Sequence, residues 1–491
     1  MLTSIIFLTL FVISTGTKGT QHLSASSDAE ELKDRIQGAI IGVFIGDALG
    51  VGVHWQYDLA KLEADRGFVT DYLDPLPGSY HSGTENAPGR GKLKAGQLEQ
   101  QGVIDKLLLE SLAENLELNQ NDFFDRFEKV ILRDPAMDGT RQGGSHGWTD
   151  KSVCDIYDCR IVQKRPWSDC ASPRSDTPDA VVRAALIAPL YYQNPKKMAV
   201  AIQKHAKAAT MDSSVQAHSV AFGSMVAAAI QGVPLTHQMR DFLYQQPGRA
   251  LPYTSLLSTQ DSNPDYGHFT EPDSLLWFGS IADGVKEFKK SIKPAHRGVL
   301  LYGQFCAFFA SLSSAYYCTA RFPNDFEDAV LCSINGGGQN TMRTSLVGAL
   351  LGAKVGLSGI PPRFIDGLEE SDYLISLAGR IAEAALRHND EGDEWYWPTE
   401  IDMDFTIGSA DSATSHASEE APPVNAISDD DFVGAGGGSF EQQSAFVLVL
   451  LGVFFGIVVS FISSRISASS LSPSPTERLD GPPPQTMYDS I

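Results

Sequence analysis

Residues Gly38–Gly50 read GAIIGVFIGDALG, and Gly348–Gly356 read GALLGAKVG. In the first stretch glycine recurs every four residues, at Gly38, Gly42, Gly46 and Gly50; in the second it recurs at Gly348, Gly352 and Gly356. A four-residue repeat places all members on one face of a helix. Each glycine there costs about 1 kcal/mol relative to alanine, so the rows predict two helices with close backbone packing along one face. The simplest arrangement packs them on each other, which would bring the two ends of a domain together. Asp47 falls in the last turn of the first helix, where the helix dipole disfavours an anion.

Outward from these two stretches the same reading continues. Residues 100–118, 178–192, 196–231, 297–319, 325–333 and 371–387 carry Ala, Leu and Ile at three- and four-residue spacings, whereas alternating strand patterns are nearly absent. The fold class is all-α, a large single-domain orthogonal helical array over residues 36–388, with long loops at about 51–94 and 134–177. Loops of that length in a helical domain face ligands or are stapled. Of the 491 residues 43% are hydrophobic, which excludes wholesale disorder, and a formal net charge of −22 excludes general nucleic-acid binding. Cys154, Cys159 and Cys170 lie in the second long loop, and Cys306, Cys318 and Cys332 on the helical side; sequence does not choose among their pairings.

The two ends of the chain speak to location. Residues 5–13 are an apolar run followed by small and polar residues, so residues 1–19 read as a signal peptide. Residues 445–462 are uncharged with one serine, enough for a helix to cross a bilayer, and 445–464 are taken as a transmembrane helix. Arg465 follows it, so the positive-inside rule puts residues 465–491 in the cytosol and the globular domain in the lumen or outside the cell, a type I single-pass arrangement in a secretory-pathway or cell-surface membrane. Residues 389–444 contain no Lys or Arg and 14 acids, and read as an acidic flexible stalk whose Trp395, Tyr396 and Trp397 dock its start on the body. Gly452 and Gly456 form a GxxxG that would favour a homodimer, and Tyr488 lies three residues before the terminal Ile491 as in sorting signals.

A glycine loop, Gly336, Gly337, Gly338, then Gln339 and Asn340, precedes the second glycine helix. A loop of this kind opening a helix either directs N–H groups to a phosphate or ribose oxygen, or is a tight turn. Together, Gly38–Gly50 and the stretch DFEDAVLCSINGGGQNTMRTSLVGALLGAKVGLSGIPPRFIDGL at 325–368 resemble the first and last signature blocks of the ADP-ribosylglycohydrolase family, with weaker similarity across 36–388. The resemblance implies an all-α fold, hydrolysis of ADP-ribose linkages and two magnesium ions held between a Thr-Asp-Asp-Thr and an Asp-x-Asp-Thr segment. This chain departs from that pattern. His54 stands where typical members carry a glutamate, Glu99, Gln100, Gln101 and Gly102 stand at the first metal segment, and Gln339 and Thr341 stand at the two aspartates of the second. Amides make a poor magnesium site, so no metal ligand and no cofactor is assigned. VHWQYD at 53–58, KAG at 94–96, GSH at 144–146 and the GGxN with Arg343 resemble a divergent, metal-poor branch of the same family that contains the jellyfish lens J-crystallins.

On this resemblance Asp47 and His54 are the candidate catalytic residues, and Trp55, Tyr57, His146, Gly337, Gly338, Gln339, Asn340 and Arg343 the candidate ligand-binding ones, for a small molecule of the ADP-ribose type. Each has a plainer alternative: Asp47 caps a neighbouring helix, His54 and His146 are packed, Gln339 and Asn340 cap the helix they open. Asp176 and Asp179, at a loop-to-helix junction, read as N-caps. Two functions follow: a membrane-anchored hydrolase of an ADP-ribosyl or related glycosidic bond, or a non-catalytic pseudoenzyme ectodomain that binds a ligand or partner. The topology itself is testable. Protease added to sealed vesicles is expected to remove only the tail after Arg465; a protected tail with a digested globular domain would reverse the orientation.

Overall fold

The computed structural model describes residues 18–79, 81–84, 87–245, 276–288 and 292–387. The signal run up to residue 17, the stalk, the 445–464 span and the tail lie outside the described residues; among the described residues no helix is long and apolar enough to cross a membrane. The domain is all-α apart from one small antiparallel hairpin. Its principal helices are α1 (Lys18–Val51), α2 (Leu59–Arg66), α3 (Gln100–Asn115), α4 (Gln120–Phe127), α5 (Lys151–Tyr157), α6 (Asp179–Ile187), α7 (Pro195–Ala209) and α8 (Ser213–Ile230). They continue with α9 (His237–Gln245), α10 (Phe278–Phe288), α11 (Phe308–Arg321), α12 (Phe326–Ile334), α13 (Asn340–Val355) and α14 (Ser371–Arg387). The hairpin pairs β1 (Ser82–Thr84) with β2 (Ala87–Lys92).

The glycine rows of α1 and α13 do face each other, in antiparallel register. A Cβ on Gly42 would stand 2.0 Å from the Gly348 carbonyl oxygen, and one on Gly348 would stand 2.0 Å from that of Gly42. Gly38 meets Gly352 in the same way, Gly46 meets Thr344 and Gly50 meets Thr341, each with an added Cβ 2.6 Å or less from backbone. No side chain separates the two helices along this seam. Both are buried almost throughout, from Ile36 to Val53 and from Asn340 to Ala353, mostly by apolar residues except in the first turns of α13, which is the pattern of helices enclosed on all sides. On α13 pack α6, α8, α11 and α12, while α14 covers α1 and touches α3.

Several expected boundaries move, for local reasons. The first helix runs from Lys18 rather than Ile36, taking in the serine-rich stretch. The helical pattern over 196–231 divides at Thr210, which is extended and pairs with Ser172, and Asp212 then caps α8 by accepting from the amides of Ser214 and Val215. That over 297–319 breaks at Gly303, whose φ of +118° ends one short helix before α11 begins. The long loops are not bare: the first contains α2 and the hairpin, the second α5. One disulfide, Cys159–Cys170, staples the second loop and another, Cys318–Cys332, joins α11 to α12, leaving Cys154 and Cys306 as free thiols.

The seam has a direct test. Gly348→Ala places a methyl inside backbone on both helices and is expected to cost about 3 kcal/mol or more in denaturant unfolding, whatever alanine returns in helix propensity. Gly284→Ala in α10, where an added Cβ meets nothing nearer than the Tyr302 hydroxyl at 3.9 Å, is expected to be neutral or to stabilise by up to about 1 kcal/mol. Equal effects of the two substitutions would show that the seam is not close-packed.

Candidate active site

Because α1 and α13 are antiparallel, the last turn of α1 lies beside the first turn of α13, and the site is built where they meet. Asp47 is 2% exposed and its Oδ2 accepts the backbone N–H of Glu99 at 2.9 Å. Gly102, one turn into α3, is the reason the carboxylate fits: a Cβ there would lie 2.3 Å from Asp47 Oδ2. Across the junction the Thr341 hydroxyl donates to Glu99 Oε1 at 3.3 Å. Gln101 Nε2 donates to Asp150 Oδ2 at 2.6 Å, and the Asp150 amide donates to Gln100 Oε1 at 3.2 Å. Behind them Arg183 bridges Gln101 Oε1 at 3.1 Å and Asp179 Oδ2 at 2.9 Å.

These acids are short of compensating charge. Burial holds Asp47 well above the usual carboxylate range, with Asp105 and Asp150 adding to the shift against the Glu99 amide. Burial does the same to Glu99, with Asp47 and Asp150 reinforcing it. Asp150 is pushed up to about 7 by burial and then by Asp179, and Asp105 up to about 7 by burial against Arg183. The cluster therefore carries protons near neutral pH, the state from which carboxyl groups act as acids and bases.

Beside the acids stands a wall of rings. Trp55 packs edge-on to Trp148 at 5.1 Å, and His54 lies 4.5 Å from Trp55 and 5.1 Å from His81. Trp55 is held by two bonds to the glycine loop region: its indole N–H donates to Gln339 Oε1 at 2.9 Å and its amide to the Gly338 carbonyl at 2.9 Å. Burial drives His54 well below the usual imidazole range and His81 down to about 4, so both rings are neutral. His81 Nδ1 approaches the chain at Gly147, where a Cβ would stand 2.5 Å away.

The residues expected from sequence thus divide. Asp47, His54, Trp55 and Gln339 come together at the junction of α1 and α13. Tyr57 lies near the free thiol of Cys306, 3.9 Å from its hydroxyl. His146 is half-buried, and burial, with Lys106 adding to it against Asp134, lowers its pKa. In the glycine loop the amides of Gly336, Gly338 and Gln339 donate to the carbonyls of Ser333, Gln56 and Gln304, so these three are engaged inside the protein. Gly337 and Gly338 have φ of +71° each, and Cβ atoms on them would meet Gln56 and Gln304. Arg343 is wholly buried and donates to the carbonyls of Ser333 and Gly337 at 2.7 Å each, and to Asn340 Oδ1; it is a strut for the loop. Asn340 Nδ2 donates to the Val53 carbonyl at 2.8 Å, tying α13 to the end of α1, and Gln339 holds the N-cap position of α13 without a side-chain capping bond. Asp179 is not an N-cap either, since Pro178 holds that position and Asp179 pairs with Arg183; Asp176 is exposed. Sequence reading missed Asp150 and His81, which the folding of the two long loops brings in, and Arg183 on α6; the one sequence signal is that Asp150 closely follows the GSH stretch.

The donor set does not fit a pair of magnesium ions. Gln101 has its oxygen on Arg183 and its nitrogen on Asp150, Gln339 has its oxygen on Trp55, and Thr341 donates its hydroxyl proton to Glu99. Hard cations favour free carboxylates, and these positions offer committed amides.

The sequence profile of the ADP-ribosylglycohydrolase family matches residues 28–391. The chain belongs to the ADP-ribosylglycohydrolase family. It is similar to an uncharacterized protein of Archaeoglobus fulgidus, 23% identical over 356 residues that cover 72% of this chain and 98% of the relative. A solved structure described as an ADP-ribosylglycohydrolase-related protein complex shows 18% identity and a TM-score of 0.44, covering 72% of this chain and 99% of its own.

The acid cluster makes stability pH-dependent with a definite sign. Asp105 has its folded pKa raised from an ordinary 3.8 to about 7, so its protonated form is favoured by folding and the stability it contributes below pH 4 is lost as pH rises toward 7. Asp105→Asn removes that loss and is expected to stabilise the protein by roughly 2–4 kcal/mol at pH 8, with no gain at pH 4. Denaturant unfolding at the two pH values reads the difference. A gain independent of pH would place the effect elsewhere.

Proposed function

We propose that the protein is a hydrolase of an ADP-ribosyl or related N- or O-glycosidic bond that works through buried carboxyl groups. The observation that carries this reading is the meeting of Asp47, Glu99 and Asp150 in one buried cluster, with Asp47 and Glu99 on segments that resemble those of the family. Hydrolysis needs a proton taken from water as its oxygen bonds to the anomeric carbon, and a proton given to the leaving atom as the glycosidic bond breaks. Asp150, with a pKa near neutrality, serves as the base, and the Asp47–Glu99 pair holds the proton to be donated. Trp55, Trp148 and His54 form an aromatic wall against which a ribose or base can lie. His54, neutral and with its Nδ1 unpartnered, orients substrate here and is not the base.

The metal-poor branch that includes the J-crystallins is the part of the family this reading favours, because Gln101, Gln339 and Thr341 replace carboxylates. The domain works on the lumenal or extracellular side of a membrane to which residues 445–464 anchor it, with Gly452 and Gly456 favouring a homodimer. The sequence pattern of the two ends supports this placement, and two disulfides in the described domain suit an oxidising compartment.

Asp150→Asn is expected to lower turnover of an ADP-ribosylated substrate by about 100-fold or more while ADP-ribose still raises the thermal midpoint. Chelation of divalent metal is expected to leave wild-type turnover unchanged. An ADP-ribose shift with no product from the wild-type protein would favour the non-catalytic binding ectodomain over the hydrolase.

A further inference from the structure

Outside the buried acids, on the aromatic wall, stands a cation with no acid of its own. Arg141 lies in the turn that leads to Asp150. The Thr149 amide donates to the Arg141 carbonyl at 2.8 Å, and the buried Thr149 hydroxyl donates to the Gly143 carbonyl, so the turn is pinned immediately before Asp150. Asp138 closes its other side, its Oδ1 accepting the Thr140 amide at 3.0 Å and the Thr140 hydroxyl at 2.6 Å. From this base the Arg141 side chain lies over Trp148, with the guanidinium carbon 5.9 Å from the ring centroid. Trp148 in turn stands edge-on to Trp55.

Its electrostatic setting singles Arg141 out. Asp150 feels two guanidinium groups, Arg183 and Arg141, and both oppose the rise that burial imposes on it. Arg183 is buried and committed to Asp179 and Gln101. Three further cations around the site are committed as well: Arg343 to carbonyls of the glycine loop region, Arg174 to Asp155 and Lys106 to Glu370. Arg141 is exposed, and among the described residues its side chain has the Trp148 ring as partner and no carboxylate. A guanidinium seated on a ring keeps N–H donors along its outer edge, in a planar fork that matches two phosphate oxygens. The inner site has no comparable group for an anion. The amides of Gly336, Gly338 and Gln339 are engaged, and the acids at 47, 99 and 150 disfavour further negative charge.

We infer that Arg141 is the anion-binding residue of this site, taking the diphosphate of an ADP-ribose-type ligand while the sugar that carries it lies along Trp148 and Trp55 toward the acids. The ligand class rests on the function proposed above; the anion subsite itself does not. Arg141 then sets specificity: a glycoside without phosphate meets the rings but not the anchor, and binds more weakly.

The full-length protein is titrated calorimetrically at low ionic strength, where such a contact is least screened, against inorganic diphosphate, ADP-ribose and adenosine, with a metal chelator present. Arg141→Gln is expected to weaken diphosphate and ADP-ribose by about tenfold or more and adenosine by less than about twofold. Arg141→Lys, which keeps the charge and loses the fork, is expected to fall between. A wild-type protein that takes no inorganic diphosphate overturns the inference, and that result stands even if a variant fails to fold. Undiminished diphosphate binding by Arg141→Gln overturns it too, as does an equal loss of adenosine, which would make Arg141 a support for the rings. Diphosphate binding that depends on Arg141, in a protein that ignores ADP-ribose, upholds the anion subsite and overturns the ADP-ribose reading instead.

Discussion

Backbone-to-backbone contact between α1 and α13 is the constraint from which the rest of the structure follows. Glycine at positions 38, 42, 348 and 352 lets each helix lie against the carbonyl row of the other. The contact forces an antiparallel register and fixes it to within a residue, because any slip would drive a neighbouring Cβ into backbone. Two segments separated by about 300 residues of sequence are thereby joined without a side chain between them. Such a contact carries a high loop-closure entropy, offset by the apolar faces of α3, α6, α8 and α14 that close around the pair.

The site inherits its geometry from this register. Asp47 and the His54–Tyr57 turn hang from the end of α1, and Gln339–Arg343 open α13, so their meeting is set by the helix pair. The bonds between them, Trp55 to Gln339 and Asn340 to Val53, then lock the turn to the helix start. At this junction the negative end of α1 and the positive end of α13 lie together. A carboxyl group there feels opposed dipoles, which leaves burial and neighbouring acids to decide its protonation.

How much of this was legible beforehand depends on the range of the interaction. The glycine spacing is a local periodic signal, and it implied both helices and their contact. The acids at Asp47 and Glu99 were legible through the family segments. Asp150, Arg183 and His81 were not, because nothing in their own neighbourhoods distinguishes them from ordinary loop and helix residues; they become functional only through partners at Gln101, Asp179 and Gly147. The partners of the glycine loop were hidden for the same reason. Its amides look free in sequence, but the break at Gly303 delivers Gln304, whose carbonyl takes the Gln339 amide and whose side chain donates to the Gly336 carbonyl at 2.6 Å. A break in one helix thus decided the chemistry of a loop some thirty residues away.

The amides at 100, 101 and 339 shape the charge balance of the acids around them. Several carboxylates crowded in a buried space repel one another unless a cation neutralises them. Amides at 100, 101 and 339 reduce the number of charges, and the acids that remain are held in their protonated range by burial. Each amide also has work that an aspartate could not do: Gln101 donates to Asp150 with one end while accepting from Arg183 with the other. An aspartate at 101 would lose the donor, place a second charge beside Asp150 and shorten the reach to Arg183. The cluster is therefore a coupled set in which the amides and the raised carboxyl pKa values depend on one another.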